Sequence, residues 1–80
     1  MSREEIIEKV NDFLIDEIEI DSDLIKEDAL LKDDLKIDSL DFVDIVVIVQ
    51  RVFGFKMKPE DMGPVKTLSQ FYDYIEAKTK

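Results

Sequence analysis

Apolar residues recur at helical spacing along much of this chain. Ile6, Val10, Phe13 and Leu14, with Ile7 beside them, mark a first amphipathic helix. Ser2-Arg3-Glu4-Glu5 precedes them as a capping box, Ser2 at the cap and Glu5 reaching back, so helix I is predicted to run to about Asp16. Residues 17–38 form a long acidic connection. Its apolar positions, Ile18, Ile20, Leu24, Leu30, Leu31, Leu35 and Ile37, are expected to wrap it around the core. A connection this long in a small domain is usually functional or partly helical.

The stretch from Ser39 to Phe53 sets two signals against each other. "FVDIVVIVQRVF" is rich in β-branched residues, which favour strands. Asp38, however, is a good N-cap, and Asp41 sits in the first turn where the helix dipole favours an anion. A lone strand would also lack a partner, so a second helix is predicted, stopped by Gly54. Pro59 then opens a short helix within Lys58–Met62, and Gly63-Pro64 ends it. Thr67-Leu68-Ser69-Gln70 is another capping box, opening a last helix with Leu68, Phe71, Tyr72 and Ile75 on one face. The expected fold is all-α: a four-helix bundle of three main helices and one short one. A long loop separates helices I and II, and residues 1–80 form one domain.

Composition narrows the chemistry. The chain has 80 residues, 45% of them hydrophobic, and neither cysteine nor histidine. That removes disulfides, a Cys/His zinc site and the usual hydroxyl–imidazole pairing. The opening residues lack the apolar core of a signal peptide, and the longest apolar run, Ile45 to Val49, is far too short to span a bilayer. A cytoplasmic protein is expected. The net charge of −9 is concentrated in residues 1–41, whereas residues 42–80 are nearly neutral. An acidic front half argues against nucleic acid or anionic lipid as partner and favours proteins with basic patches.

No enzyme is indicated. Asp21-Ser22-Asp23 opens like an EF-hand, but Lys26 stands where the loop needs glycine and Lys32 where it needs glutamate. No carboxylate pair stands out as catalytic, and Tyr72 and Tyr74 are expected as a core and a surface position. Ser39, between Asp38 and Leu40-Asp41, has nothing to activate it. On spacing alone it reads as a helix-start serine, or as a kinase target among acids.

The wider string "DDLKIDSLDFVDIV" resembles the phosphopantetheine-attachment site of the acyl carrier proteins. Asp34-Leu35, Asp38-Ser39-Leu40-Asp41 and Asp44 match that family's pattern, and the order of helices is similar over most of the chain. The resemblance implies a carrier without catalytic residues, in fatty-acid or specialised lipid or polyketide biosynthesis. Its cofactor would be 4′-phosphopantetheine, attached covalently to Ser39 by a separate phosphopantetheinyl transferase using coenzyme A and magnesium. The other partners implied are acyl-transferring, condensing and modifying enzymes with basic docking patches. The expected docking residues are Asp38, Leu40, Asp41, Asp44 and Ile48, on a monomer. A peptidyl or D-alanyl carrier stays open, as does a small acidic interaction domain in which Ser39 is only a helix cap.

Two departures from the family matter. Gln50, Arg51 and Val52 replace the acids that usually continue down helix II, and Asp41, Asp44, Ile48 and Val52 fall in one helical sector. Ile48 and Val52 either pack under the long loop or present an apolar surface to a partner. Phe42, projected beside Val46, Val49 and Phe53, stands where the family commonly has a small residue. It would fill the space in which an acyl chain can shelter.

Overall fold

The computed structural model describes residues 1–79. Three α-helices carry the fold: α1 (Arg3–Asp16), α2 (Ser39–Phe53) and α3 (Leu68–Thr79). Two single turns of 3₁₀-helix lie between them, at Ser22–Leu24 and Pro59–Met62. The predicted all-α architecture holds, and its short helix is the 3₁₀ turn begun by Pro59. The strand-like composition of residues 42–53 yields to packing. Ile45, Val46, Ile48 and Val49 go into the core, and burial outweighs the few tenths of a kcal/mol that each β-branched residue costs a helix.

Side chains cap the helices where the sequence indicates. Ser2 Oγ accepts from the Glu5 N–H at 3.2 Å. Asp38 Oδ1 accepts from the Asp41 N–H at 2.9 Å, and Asp41 Oδ2 accepts in return from the Asp38 N–H at 3.4 Å. Thr67 Oγ1 accepts from the Gln70 N–H at 3.2 Å, while Gln70 Oε1 receives the N–H groups of Lys66 and Thr67. Gly54 ends α2 at φ 81°, the left-handed conformation that glycine adopts without steric cost. Asp21 spends its carboxylate on the Asp23 N–H at 3.0 Å, capping the first 3₁₀ turn.

The core draws on every part of the chain. Ile6, Val10, Phe13 and Leu14 of α1 meet Leu68, Phe71, Tyr72 and Ile75 of α3, and α2 adds Phe42, Ile45, Val46, Ile48 and Val49. Arg3 fastens the start of α1 to α3 through Asp73 (2.5 Å) and Glu76 (3.4 Å). The Tyr72 hydroxyl donates to Asn11 Oδ1 at 2.5 Å. Burial pushes that hydroxyl up to about 12. Tyr74 is half-buried, and its hydroxyl donates to Asp61 Oδ2 at 3.3 Å, tying the second 3₁₀ turn to α3.

The long loop wraps the core as expected, with two corrections. Leu31, Leu35 and Ile37 are buried, and Ala29 joins them. Leu24 and Leu30, however, point outward. Leu30 pairs with Thr67 in an isolated antiparallel bridge, flanked by Leu31 N–H to Lys66 C=O (2.9 Å) and Leu68 N–H to Ala29 C=O (3.0 Å). In an extended segment adjacent side chains face opposite ways, so burying Ala29 and Leu31 turns Leu30 outward. The loop then makes a left-handed turn at Lys36 (φ 57°) and delivers Asp38 to the start of α2.

Candidate functional site

The start of α2 is an exposed corner held in place from both sides. Before it, the buried side chains of Leu35 and Ile37 anchor the approach, and the Ile37 N–H donates to the Leu31 carbonyl at 2.9 Å. After it, Phe42 is buried, and its N–H makes the first i→i−4 bond of the helix, to the Asp38 carbonyl at 3.1 Å. Ser39 sits between these anchors, exposed. A fixed backbone therefore presents a solvent-facing hydroxyl.

Ser39 is not the cap of α2. The carboxylate of Asp38 fills that role, and Ser39 is the first residue inside the helix. This corrects the reading of Ser39 as only a helix cap: a carboxylate one residue earlier already satisfies the third N–H of the helix. Among the described residues, no hydrogen bond engages the Ser39 hydroxyl. The N–H groups of Ser39 and Leu40 precede the first intrahelical bond and point out of the helix end, where the dipole favours an anion. A primary hydroxyl in solvent beside free N–H groups fits a covalent phosphodiester in chemistry and in access.

The surrounding predicted residues divide into two groups. Asp38, Leu40 and Asp44 are exposed, Leu40 at 76%, and Asp41 is partly exposed. Ile48 is buried, at 6% exposure, and Val52 is half-buried. A docking role for Ile48 by direct contact is therefore corrected. Ile18 and Glu17, just past the end of α1, lie across that side of α2 and share a groove with Ile48, Asp44, Val47 and Arg51. The exposed apolar positions of α2 are instead Leu40, Val43 and Val47. Sequence projection missed Val43 and Val47 because it could not place the loop. The signal available was their i, i+3, i+7 spacing from Leu40.

Phe42 is buried at 7% exposure in the same core cluster as Val46 and Val49, with Phe53 packed against it. Three surface cavities, of about 220, 350 and 300 Å³, are lined by other residues. Among the described residues, no helix is long and apolar enough to cross a membrane.

Comparison with known proteins places the chain in a family. Residues 6–75 match the family described as phosphopantetheine attachment site. The chain is 39% identical over 77 residues to the acyl carrier protein of Thermotoga maritima, covering 96% of this chain and 95% of that relative. The acyl carrier protein of Coprothermobacter proteolyticus is 35% identical over 77 residues, covering 96% and 94% of the two chains. That of Lactobacillus acidophilus is 32% identical over 77 residues, covering 96% of each. The chain belongs to the phosphopantetheine attachment-site family, whose covalent cofactor is 4′-phosphopantetheine.

Proposed function

We propose that this protein is an acyl carrier whose phosphopantetheine arm is attached to Ser39. The observation that carries this reading is the unspent, exposed hydroxyl of Ser39 on the first turn of α2, within the segment that matches the attachment family. When bound, the arm supplies a terminal thiol, which this cysteine-free chain lacks, and acyl groups ride on that thiol as thioesters. The chain's own residues hold and present. Asp38 keeps the α2 end closed, Ile37 and Phe42 fix the backbone on either side of Ser39, and the free N–H groups face the phosphodiester.

Asp38, Leu40, Asp41 and Asp44 form the surface offered to partners, with carboxylates available to arginine and lysine. The partners in this reading are a phosphopantetheinyl transferase and the acyl-transferring, condensing and modifying enzymes of a cytoplasmic biosynthetic route. They supply the bond-making steps. Phe42 fills the interior one turn from Ser39, so long acyl chains find little shelter there.

Incubating the protein with octanoyl-coenzyme A, magnesium and a promiscuous phosphopantetheinyl transferase tests whether it carries an acyl thioester. The reading predicts an acylated arm on the protein, with neutral hydroxylamine removing the octanoyl group and leaving the arm. No transfer, or an acyl group stable to hydroxylamine, contradicts it.

A further inference from the structure

Between Asp33 and Gln50 the chain carries five acids, Asp33, Asp34, Asp38, Asp41 and Asp44, and a single base, Lys36. A phosphodiester on Ser39 adds one more negative charge to this field, beside Asp38 and Asp41. Three of the five carboxylates are engaged by backbone N–H groups: Asp34 accepts from Leu30, and Asp38 and Asp41 close the α2 end. Those bonds hold the carboxylates in place, so they do not swing away from an added anion.

Lys36 stands in the approach to α2. Burial alternates along it: Leu35 and Ile37 enter the core at 3% and 2% exposure, whereas Lys36 and Asp38 stay in solvent. Three residues separate Lys36 from Ser39, so their Cα atoms lie within about 11 Å of each other. Lysine's flexible four-carbon stem brings its ammonium to a phosphate on Ser39 across such a span. Among the described residues the ion pairs use Arg3 and Arg51, which leaves the Lys36 ammonium uncommitted. Lys32, the nearest other base in sequence, lines a cleft with Met62, Val65 and Lys66.

The turn itself does not call for lysine. Lys36 has φ 57°, in the left-handed region that Gly54 enters freely at φ 81° and where a side chain is unfavourable. Glu19, at φ 63°, carries the same strain in another part of the loop and supplies a control.

We propose that Lys36 is a positioning residue for the arm, its ammonium pairing with the phosphodiester on Ser39. The inference rests on the carrier reading above, which supplies the phosphate. A cation at this point offsets the repulsion from Asp38 and Asp41 and holds the first bonds of the arm against the approach to α2.

The test is a cycle of unfolding measurements on chains with and without the arm, loading being read first by intact mass. Loading should destabilise Lys36→Gly more than the native chain, by about two- to five-fold in the unfolding constant at low salt, the range of one exposed ion pair. Backbone strain is the same with and without the arm, so it cancels. Lys36→Arg, Glu19→Gly and Lys32→Gln should all respond to loading as the native chain does. The phosphorus NMR resonance of the arm should shift as salt is raised in the native chain and stay in place in Lys36→Gly. Equal effects of loading on Lys36→Gly and the native chain, a phosphorus resonance indifferent to Lys36, or the same loss in Lys32→Gln would overturn the proposal with the arm in place. No loading at all would overturn the carrier reading, and this inference with it.

Discussion

The starts of α2 and α3 use the same device for different ends. Each opens with a reciprocal capping box in which a side chain three residues on closes back over the cap. At α3 the hydroxyls are all used. Thr67 caps the helix, and Ser69 accepts from the guanidinium of Arg3 at 3.5 Å. At α2 the cap is a carboxylate, so the serine beside it is left over. The chain thus obtains a rigid helix start in both places and a free hydroxyl in only one. A serine at a helix start acquires meaning from whether another group has already taken the capping role.

Replacing the first buried aromatic of each helix should give the largest effects. Phe42→Ala and Phe71→Ala should each lose about 3–5 kcal/mol in urea unfolding, since both rings are buried. Only the first opens space beside the arm. The milder Phe42→Leu should show hydrolytic protection of the thioester that rises from butanoyl to dodecanoyl, with none in the native protein. Strong chain-length-dependent protection in the native protein would remove Phe42 from this role.

Removing the caps should follow in size. Asp38→Ala and Thr67→Ala should each cost about 1–2 kcal/mol by the same unfolding measurement. Asp38→Ala should also slow loading of the arm, and Thr67→Ala should leave that rate unchanged. Equal slowing by both would erase the distinction between the two helix starts.

The α3 side is further sharpened by pH. Burial raises the Tyr72 hydroxyl above its unfolded value of 10.0 to about 12, so the fold favours the neutral form. That contribution is complete below pH 10 and is lost as pH rises through 12. Tyr72→Phe should lower stability at neutral pH by about 0.5–1.5 kcal/mol, through loss of the bond to Asn11, and should flatten the decline between pH 10 and 12. Tyr74, also raised by burial, titrates in both proteins and sets the residual slope.

The smallest effect should come from Ser39 itself. Ser39→Ala should change the unfolding free energy by less than about 0.5 kcal/mol, because the hydroxyl supports no contact of the fold. A loss as large as that of Thr67→Ala would return Ser39 to a capping role.

Local chemistry explains which features could be read in advance. Ser2, Asp38, Thr67 and Gly54 act within a few residues of themselves, so the ends they set were legible. Ser39 stood out through its neighbours for the same reason. Ile48 was not assignable, because its burial depends on where Ile18 and Glu17 cross α2. The outward turn of Leu30 depends on a pairing with Thr67, far along the chain. Glu19 and Lys36 adopt positive φ without being glycine, and nothing local announces this. Arg3 reaches partners seventy and more positions away, where only the assembled bundle brings charges together.

Intact mass after incubation with coenzyme A, magnesium and a promiscuous phosphopantetheinyl transferase tests the central claim most directly, with Ser39→Ala and Thr67→Ala alongside. The account predicts a gain of one phosphopantetheine in the native chain and in Thr67→Ala, and none in Ser39→Ala. A gain that survives Ser39→Ala, or no gain by the folded native protein, would contradict it.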